Sequence, residues 1–367
     1  MSDCIFSLSR NYIKKIIFIF SAFFFLPIVK AENITPIKIG AIFILSGEGS
    51  AWGINAQRGT ILAVEEINSS GGIRGRPIEV IYEDEPGGSA VKAVEAYHKL
   101  TKIDKVKYIL GPSWQDEVMA VAPLSKRDKV IVVGATYMPN PPENMFMVWM
   151  DAEIEADRIV DYVIDRFHKV AVLSSQQSWE SLVAKRFKKS FESRGGKVAA
   201  FFEPLPSATD VKAEALKTKA ASPDAIFISS YLLFSKYTRE LRRLGVKAPF
   251  FSQELDQTAV DSSGKAAEGT IFIRPAQPDN DFLEKFRKRF GTDPDIPAAQ
   301  SYDALYVLAR ALKSVGEDYG RLVEHFKNFP AYRGVCGTYR LQGGKTITDT
   351  ELMVIKNGAI RKLKILN

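Results

Sequence analysis

The chain has 367 residues, of which 46% are hydrophobic and 25% are charged, so it can bury a sizeable core and is long enough for about two domains. This composition excludes a disordered chain. The formal net charge of +7 is mild for this length and gives no indication of nucleic-acid binding.

The N-terminus has the pattern of a secretory signal peptide. Arg10, Lys14 and Lys15 precede an apolar run over 16–29, and the small residue Ala31 follows it. The run has about fourteen residues, whereas a membrane-spanning helix needs roughly 20. We therefore predict cleavage after Ala31 and export to the periplasm, with a retained membrane anchor as the alternative.

From residue 37, short β-branched runs alternate with longer segments of helical period, which is typical of βαβ units with a parallel sheet. Predicted strands lie at 37–45, 78–82, 107–110, 130–133, 170–174, 198–202, 225–228 and 249–251. Amphipathic helices are predicted at 56–68 and 90–100. The alternation breaks in a Pro-rich stretch at 138–142 and restarts at residue 151. This pattern predicts an α/β fold of two doubly wound, Rossmann-like units.

The loops that follow the predicted strands are the candidate ligand site, because parallel sheets of this kind bind ligands at the carboxyl ends of their strands. Three of the four tryptophans, Trp52, Trp114 and Trp179, lie in such loops. Their rings could pack only against each other between two lobes, or they could form a flat apolar pocket suited to a branched or aromatic ligand side chain.

Four motifs, spread over nearly the whole mature chain, resemble the periplasmic Leu/Ile/Val-type amino-acid-binding proteins, which are type I solute-binding proteins of ABC transporters. The motifs are Ile-Lys-Ile-Gly at 37–40 leading to Ser46-Gly47, Ile-Asn-Ser-Ser-Gly-Gly-Ile-Arg-Gly-Arg-Pro at 67–77, Gly111-Pro112 leading to Ala-Val-Ala-Pro at 120–123, and Ser-Tyr-Asp-Ala at 301–304. Their order along the chain is the family's order.

The resemblance implies a type I periplasmic-binding-protein fold, in which two α/β lobes joined by a three-segment hinge close over the ligand. We expect crossings near 150, 274 and 335, which give a signal peptide at 1–31, a first lobe from 32–150 plus 275–335, and a second lobe from 151–274 plus 336–367. We expect the protein to be a monomer that uses no cofactor and no metal.

The resemblance also implies that two loops of the first lobe bind the carboxylate of an amino acid. The matching positions are Ser113, Trp114, Gln115, Gly134, Ala135 and Thr136. Thr136 would supply a hydroxyl and Gly134 an amide. The family usually has Ser where Trp114 or Gln115 falls, and Ser113 could take that place. Alternatively, Ser113 could cap the helix that begins near residue 116.

For the ligand's ammonium, the resemblance implies Tyr231 and Glu254, which follow two strands of the second lobe. A charge-assisted hydrogen bond to Glu254 would be among the stronger contacts of the site. The alternative is that Glu254 is a surface carboxylate, like its neighbour Asp256. Trp52 and Trp179 match positions where the family places aromatic rings over the ligand.

The predicted function is therefore that of an exported solute-binding protein, not an enzyme. It would capture a small zwitterionic ligand, such as a branched-chain or aromatic amino acid, and deliver it to the permease of an ABC importer in the inner membrane. An amide, a urea-like compound or an aromatic acid is the alternative ligand. A ligand sensor on the same fold, acting through a separate partner chain, also stays open.

Enzymatic and metal-binding alternatives have weaker support. The Gly-rich turn at 47–53 misses the dinucleotide-binding spacing, and Trp52 and Glu48 would crowd and repel a pyrophosphate. The stretch at 111–115 lacks the last Gly of a hydrolase elbow, and none of the three histidines lies on a predicted binding loop. No His/Cys cluster is present. Cys336 is the single cysteine of the mature chain, and we predict that it is buried.

Overall fold

The computed structural model describes residues 35–342 and 345–363. The predicted signal peptide, including its cleavage site after Ala31, lies outside the described residues. Among the residues that are described, no helix combines the length and the apolar character required to cross a membrane.

The strands of the described chain form three sheets. A parallel sheet with the order β2-β1-β3-β4-β5 contains β1 (Ile37–Phe43), β2 (Ile78–Asp84), β3 (Tyr108–Leu110), β4 (Ile131–Gly134) and β5 (Met145–Met147). A second sheet with the order β15-β14-β10-β9-β8-β6-β7 contains β6 (Lys169–Ser174), β7 (Lys197–Phe202), β8 (Ala225–Ser229), β9 (Phe250–Ser252), β10 (Ile271–Pro275), β14 (Thr350–Lys356) and β15 (Ala359–Lys362). Between β10 and β14, a small antiparallel sheet contains β11 (Tyr332–Gly334), β12 (Gly337–Gln342) and β13 (Lys345–Ile347).

Helices connect the strands and cover both faces of the two large sheets. They are α1 (Ser50–Ser69), α2 (Ala90–His98) with a π-helical turn at Lys99–Ile103, α3 (Gln115–Asp128), α4 (Ala152–Ile164), α5 (Ser178–Ser193), α6 (Lys212–Ala221), α7 (Phe234–Arg243), α8 (Gln257–Ser263) with a 3₁₀ turn at Gly264–Ala267, α9 (Asn280–Phe290), α10 (Ala298–Val315) and α11 (Tyr319–Lys327). Both sheets therefore have the doubly wound arrangement that the alternating pattern predicts.

Strand residues alternate between two cores in each lobe, because successive side chains of a strand point to opposite faces. In β4, Val133 belongs to the core beneath α1 and α10, whereas Val132 belongs to the core beneath α2 and α3. In β6, Val172 and Leu173 divide in the same way between the two cores of the second lobe. The strands are buried on both faces, which explains why they read as continuous apolar runs.

The small third sheet packs with the first lobe. Cys336 and Tyr339 are fully buried in the core that contains β1 and α10, and Leu341 packs against that core. The carboxylate of Asp303 in α10 accepts hydrogen bonds from the Tyr339 hydroxyl (2.9 Å) and the Val335 amide (2.9 Å). The sequence analysis expects the chain to cross from the first lobe to the second for the third time near residue 335. These contacts hold the chain against the first lobe as far as Leu341. The burial of Cys336 is as predicted.

The first lobe depends on a close approach of α1 and α10. Gly59 of α1 faces the start of α10, where a Cβ atom at this position would lie 1.9 Å from the carbonyl oxygen of Ala298. Only a residue without a side chain allows the two helices to lie at this distance.

We expect Gly59→Ala to lower the free energy of unfolding, because the new methyl group forces the two helices apart. Overpacking of this kind costs about 1–3 kcal/mol. Gly320→Ala is the matched control: Gly320 lies in α11, and the nearest atom its Cβ would meet is Asp318 Oδ1 at 3.4 Å. The control should be neutral or slightly stabilising, since Ala favours helix. Equilibrium urea unfolding measures both variants, and equal stability of Gly59→Ala and the wild-type protein would contradict the packing described here.

Candidate ligand-binding site

A cavity lies between the two lobes, where the loops that follow the parallel strands of the two large sheets face each other. It encloses about 530 Å³, a volume that includes its opening to solvent. Its walls are Trp52, Ser113, Trp114, Gln115, Thr136, Tyr137, Trp149, Gln177, Trp179, Glu180, Tyr231, Leu232, Gln253 and Glu254. Within the described residues, no cluster of His, Cys, Asp and Glu side chains is placed to hold a metal ion.

The cavity brings together eight of the ten residues that the sequence singled out. These are Trp52, Ser113, Trp114, Gln115, Thr136, Trp179, Tyr231 and Glu254. Gly134, the last residue of β4, and Ala135 do not form part of its wall. Whether the eight residues contact a ligand stays a prediction.

Six further wall residues were not predicted. They are Tyr137, Trp149, Gln177, Glu180, Leu232 and Gln253. Five of them lie within two positions of a predicted residue, so the same strand-end argument, applied to whole loops, would have included them. Trp149 is different, because it follows β5, a three-residue strand next to the Pro-rich stretch that gave no strand signal.

Six of the fourteen wall residues are aromatic, and they include all four tryptophans of the chain. The Trp52 ring lies 5.5 Å from the Trp149 ring and 6.0 Å from the Tyr231 ring, measured between centroids. Trp114 also contacts Tyr231, at 6.4 Å. On another wall, Tyr137 and Trp179 are 4.9 Å apart. Such tilted and edge-to-face pairs favour a fixed arrangement of the rings.

The lobes are closed over this cavity. The contacts of Tyr231 with Trp52 and Trp114 join the second lobe to the first. Outside the cavity, Asp295, which precedes α10, accepts a hydrogen bond from the Gln257 amide of α8 at 2.6 Å and lies 3.4 Å from the Arg274 guanidinium. These contacts link the two lobes at the edge of the cleft.

Glu254 is a buried carboxyl group at the end of β9, with 5% of its surface exposed. Among the described residues its Oε2 atom has no hydrogen-bond partner of normal geometry, although the nearby indole N–H groups of Trp149 and Trp179 interact with this carboxyl group and lower its pKa. Glu155 of α4, fully buried, is its neighbour, and burial is the main cause that raises the pKa of both groups. A hydrogen bond between the two carboxyl groups raises the pKa of Glu155 and lowers that of Glu254. The two carboxyl groups therefore titrate as one coupled pair, and burial opposes the ionisation of both.

Glu180 is the second carboxyl group of the wall, but its oxygens already have partners. Oε1 accepts the Tyr231 amide at 2.7 Å, and Oε2 accepts the Ser175 hydroxyl. Burial raises the pKa of Glu180 to about 7, although these hydrogen bonds oppose the shift. Glu180 thus fixes the loop that carries Tyr231.

Tyr231 presents its ring to the cavity, because its hydroxyl is engaged elsewhere. The hydroxyl donates a hydrogen bond to Asp256 Oδ2 at 2.7 Å. The expectation that Asp256 is a surface carboxylate is wrong: only 1% of its surface is exposed, and its other oxygen caps α8 by accepting the Ala259 amide at 2.7 Å. Tyr231 and Asp256 therefore form one buried polar pair behind the wall.

Ser113 holds its loop to the neighbouring strand ends. Its amide donates to Glu85 Oε1 at 2.6 Å, and its hydroxyl accepts the Ile44 amide at 3.0 Å. It does not cap the following helix, whose N-cap residue is Trp114 without a side-chain hydrogen bond. The Ser113 amide is thus not free to bind a carboxylate.

Two buried acids lie behind the Ser113 loop. Burial raises the pKa of Glu117 to about 8, and burial together with the nearby Glu117 raises the pKa of Glu85 well above its ordinary range. Both carboxyl groups are therefore neutral at low pH, and their buried position opposes their ionisation as pH rises.

Comparison with known proteins gives a consistent result. A family model described as periplasmic binding protein matches residues 36–359. The leucine-, isoleucine-, valine-, threonine-, and alanine-binding protein of Pseudomonas aeruginosa is 27% identical over 313 residues, covering 77% of this chain and 79% of the relative. Leu/Ile/Val-binding protein homolog 1 of Brucella suis is 23% identical over 297 residues, with the same two coverages.

Solved structures share the fold. The leucine binding protein LivK of Thermotoga maritima superposes with a TM-score of 0.83 at 23% identity, covering 90% of this chain and 99% of that one. The isoleucine complex of LivJ from Streptococcus pneumoniae gives 0.80 at 24% identity, covering 90% and 100%. A solute binding protein of R. palustris in complex with benzoate gives 0.79 at 19% identity, covering 90% and 96%.

We expect the stability of the protein to fall between pH 5 and 8, in part because of Glu117. The folded state raises its pKa from 4.5 to about 8, so this group stabilises the fold fully below pH 4.5, and the contribution is lost as pH rises to 8. The Glu117→Gln variant has no group that ionises at this position, so its free energy of unfolding should fall less between pH 5 and 8 than that of the wild-type protein. The difference should be roughly 2 kcal/mol or more, since one pKa unit corresponds to about 1.4 kcal/mol.

Urea unfolding at pH 5, 6.5 and 8 measures the effect. Glu284→Gln, which changes an exposed glutamate of α9, is the control and should follow the wild-type pH profile. Parallel profiles for Glu117→Gln and the wild-type protein would show that Glu117 does not titrate as described.

Proposed function

This chain belongs to the periplasmic binding protein family, whose members are substrate-binding proteins and not enzymes, and we propose that it captures an amino acid or a close zwitterionic analogue between its lobes. The proposal rests on one observation above all, the buried carboxyl group of Glu254 in the wall of the cavity between the lobes, one of whose oxygens has no partner of normal geometry among the described residues. A ligand ammonium would pair with this oxygen.

Desolvation gives this contact its strength. A buried carboxylate without a compensating partner costs several kcal/mol, whereas a paired one forms a strong charge-assisted hydrogen bond. Burial opposes two negative charges on Glu254 and Glu155, so the pair would carry one charge at most. A cationic nitrogen bound in the cavity would balance that charge.

The ligand's anionic end would meet neutral donors of the first lobe. Thr136 lines the cavity beside the N-terminus of α3, whose first amides are unpaired and whose dipole favours negative charge. Of the described residues, no Lys, Arg or His lines the cavity. An acid without an ammonium, such as the benzoate bound by the R. palustris protein, would face Glu254 with no cation to balance either charge. A zwitterion is therefore favoured over an aromatic acid.

The side chain of the ligand would lie between aromatic rings. The name of the Pseudomonas relative includes leucine, isoleucine and valine, and the tryptophan-lined wall of this cavity has the apolar character that a branched or aromatic side chain requires.

Transport would follow from closure. In the open state the Trp52 and Tyr231 faces would separate, and a ligand bound by the first lobe would shift the equilibrium to the closed state through its contacts with Glu254. The closed complex would then dock on the permease of an ABC importer in the inner membrane. The signal-peptide pattern of the N-terminus and the family support this periplasmic role.

We expect Glu254→Gln to weaken ligand binding about 100-fold, because the variant loses the charge that pairs with the ammonium. Thermal unfolding against a panel of leucine, valine, phenylalanine, their amides and benzoate identifies the ligand, since a ligand that binds the folded state raises its Tm. Calorimetric titration with that ligand then compares the variants.

Glu192→Gln, an exposed glutamate of α5, is the charge-matched control and should bind as the wild-type protein does. Glu254→Gln should fold at least as stably as wild type, because it removes one of two adjacent buried carboxyl groups. Unchanged affinity of Glu254→Gln would refute the assigned role. Tm shifts with benzoate or amides alone would refute the zwitterion.

A further inference from the structure

A carboxylate outside the cavity joins the two lobes. We infer that Asp295 is a latch: its carboxylate bonds the first lobe to the second, stabilises the closed state, and thereby raises the affinity for a ligand that it does not touch. Asp295 is not one of the residues that line the cavity. The inference rests on the proposed function, because it requires that the lobes close over a ligand.

The first lobe itself orients the Asp295 carboxylate. Its Oδ1 atom accepts the amide of Ile296 at 2.8 Å, and the amide of Asp295 donates to Asn55 Oδ1 of α1 at 3.3 Å. Asn55 is tied to its own helix, because its side-chain nitrogen donates to the carbonyl oxygen of Ala51 at 2.9 Å. All three bonds lie within the first lobe, so opening of the lobes would leave them intact. The Oδ2 atom remains for a contact across the cleft.

The second lobe meets Oδ2 with a backbone donor. The amide of Gln257, the first residue of α8, donates to Asp295 Oδ2 at 2.6 Å. The first amides of a helix have no acceptor within the helix, and a hydrogen bond to a carboxylate is stronger than one between neutral groups. Since the two partners belong to different lobes, opening would break this bond.

A buried cation adds to the preference for the closed arrangement. The Arg274 guanidinium, near the end of β10, lies 3.4 Å from Asp295 Oδ1, and only 8% of its side chain is exposed. A buried charge is costly when its partner is removed. The other carboxylate nearby, Asp256, already accepts hydrogen bonds from Tyr231 and the Ala259 amide. Loss of the Asp295 carboxylate would therefore leave Arg274 with less compensation in the closed state.

A longer contact of the same kind joins the lobes at another point. The amide of Ser178, the first residue of α5, lies 3.5 Å from Asp116 Oδ2 of α3. A hydrogen bond of this length is weaker than one at 2.6 Å. The two contacts predict an order of effects: removal of the Asp295 carboxylate should weaken ligand binding more than removal of the Asp116 carboxylate.

A bond that exists only in the closed state changes the affinity without a ligand contact. The apparent dissociation constant is the intrinsic constant of the closed state divided by the fraction of molecules that are closed. The latch raises that fraction. Its loss should therefore weaken binding of every ligand of the cavity by the same factor.

The first test removes the carboxylate. By calorimetric titration with leucine, valine and phenylalanine, Asp295→Ala should bind at least about tenfold more weakly than the wild-type protein, because hydrogen bonds to charged groups are the stronger ones. Asp295→Asn keeps an acceptor for the Gln257 amide without the charge and should lose less. Asp293→Ala is the matched control. Asp293 is exposed and pairs with Arg287 inside the first lobe, so this variant should bind as the wild-type protein does.

The second test removes the donor on the other lobe. Gln257→Pro lacks the amide, and proline is well tolerated at the first position of a helix, here after the extended residue Asp256. Gln257→Ala is its control: it keeps the amide, and both variants lose the side-chain hydrogen bonds to Asp261 and Gly358. We expect the Pro variant to bind about tenfold more weakly than the Ala variant. Equal affinities of the two would overturn the inference.

The third test measures closure without a ligand. Val91→Cys in α2 and Leu216→Cys in α6 place spin labels on exposed sites of the two lobes, 67% and 53% exposed, and the buried Cys336 stays unlabelled. Pulsed electron paramagnetic resonance then gives the distances between the labels. In this labelled protein, Asp295→Ala should shift the distribution towards the open state, whereas Asp293→Ala should not. A fall in affinity with unchanged distances would show that Asp295 is not a latch.

The outcomes distinguish this inference from the proposed function. If an amino acid binds in a Glu254-dependent manner, but Asp295→Ala changes neither the affinity nor the label distances, the proposed function stands and the latch fails. If Asp295→Ala opens the lobes but no amino acid binds to the wild-type protein, the latch stands and the assigned ligand class fails. If no amino acid binds and the label distances stay the same, both fail.

Discussion

Glu254 is removed from water at the point where the second lobe meets the first, and the arrangement of the site depends on this desolvation. A carboxylate in such surroundings is costly unless a partner balances it. The neighbouring Glu155 is also buried, and the two carboxyl groups titrate as one pair whose pKa values burial raises. Among the described residues no Lys, Arg or His lines the cavity, so in the proposed function the balancing charge comes from the ligand.

The rest of the site holds this charge in place and limits what can reach it. Glu180 binds the backbone that carries Tyr231, and Asp256 binds its hydroxyl, so the ring is fixed from both ends. Trp52 and Trp114 of the first lobe contact this ring. The contact between the lobes at the cavity is thus largely apolar, and burial of such faces favours the closed arrangement. In the proposed function the ligand adds to this preference through its contact with Glu254, because only a ligand with different contacts in the two states shifts the equilibrium between them.

The sequence predicted the parts of the structure that follow from local periodicity. Strand ends located the loops of the cavity, because parallel strands bring their carboxyl ends to one edge. Trp149 was missed because β5 is three residues long and gave no pattern. The contact of Ser113 with Glu85 joins residues 28 positions apart in the sequence, and buried Asp256 accepts a hydrogen bond from Tyr231, 25 positions away. Such pairings depend on tertiary contacts, which single-sequence patterns do not contain.

The departure from the family's usual Ser at Trp114 and Gln115 has a physical consequence in this structure. The adjacent Ser113 donates its amide to Glu85, and Glu117 lies close by with a raised pKa. Both acids resist ionisation, so they place little negative charge behind this loop. Trp114 adds a ring that meets Tyr231 instead of a hydroxyl donor. Because the Ser113 amide is engaged and a ring stands at position 114, a ligand carboxylate would depend on other donors of the first lobe, such as the Thr136 hydroxyl.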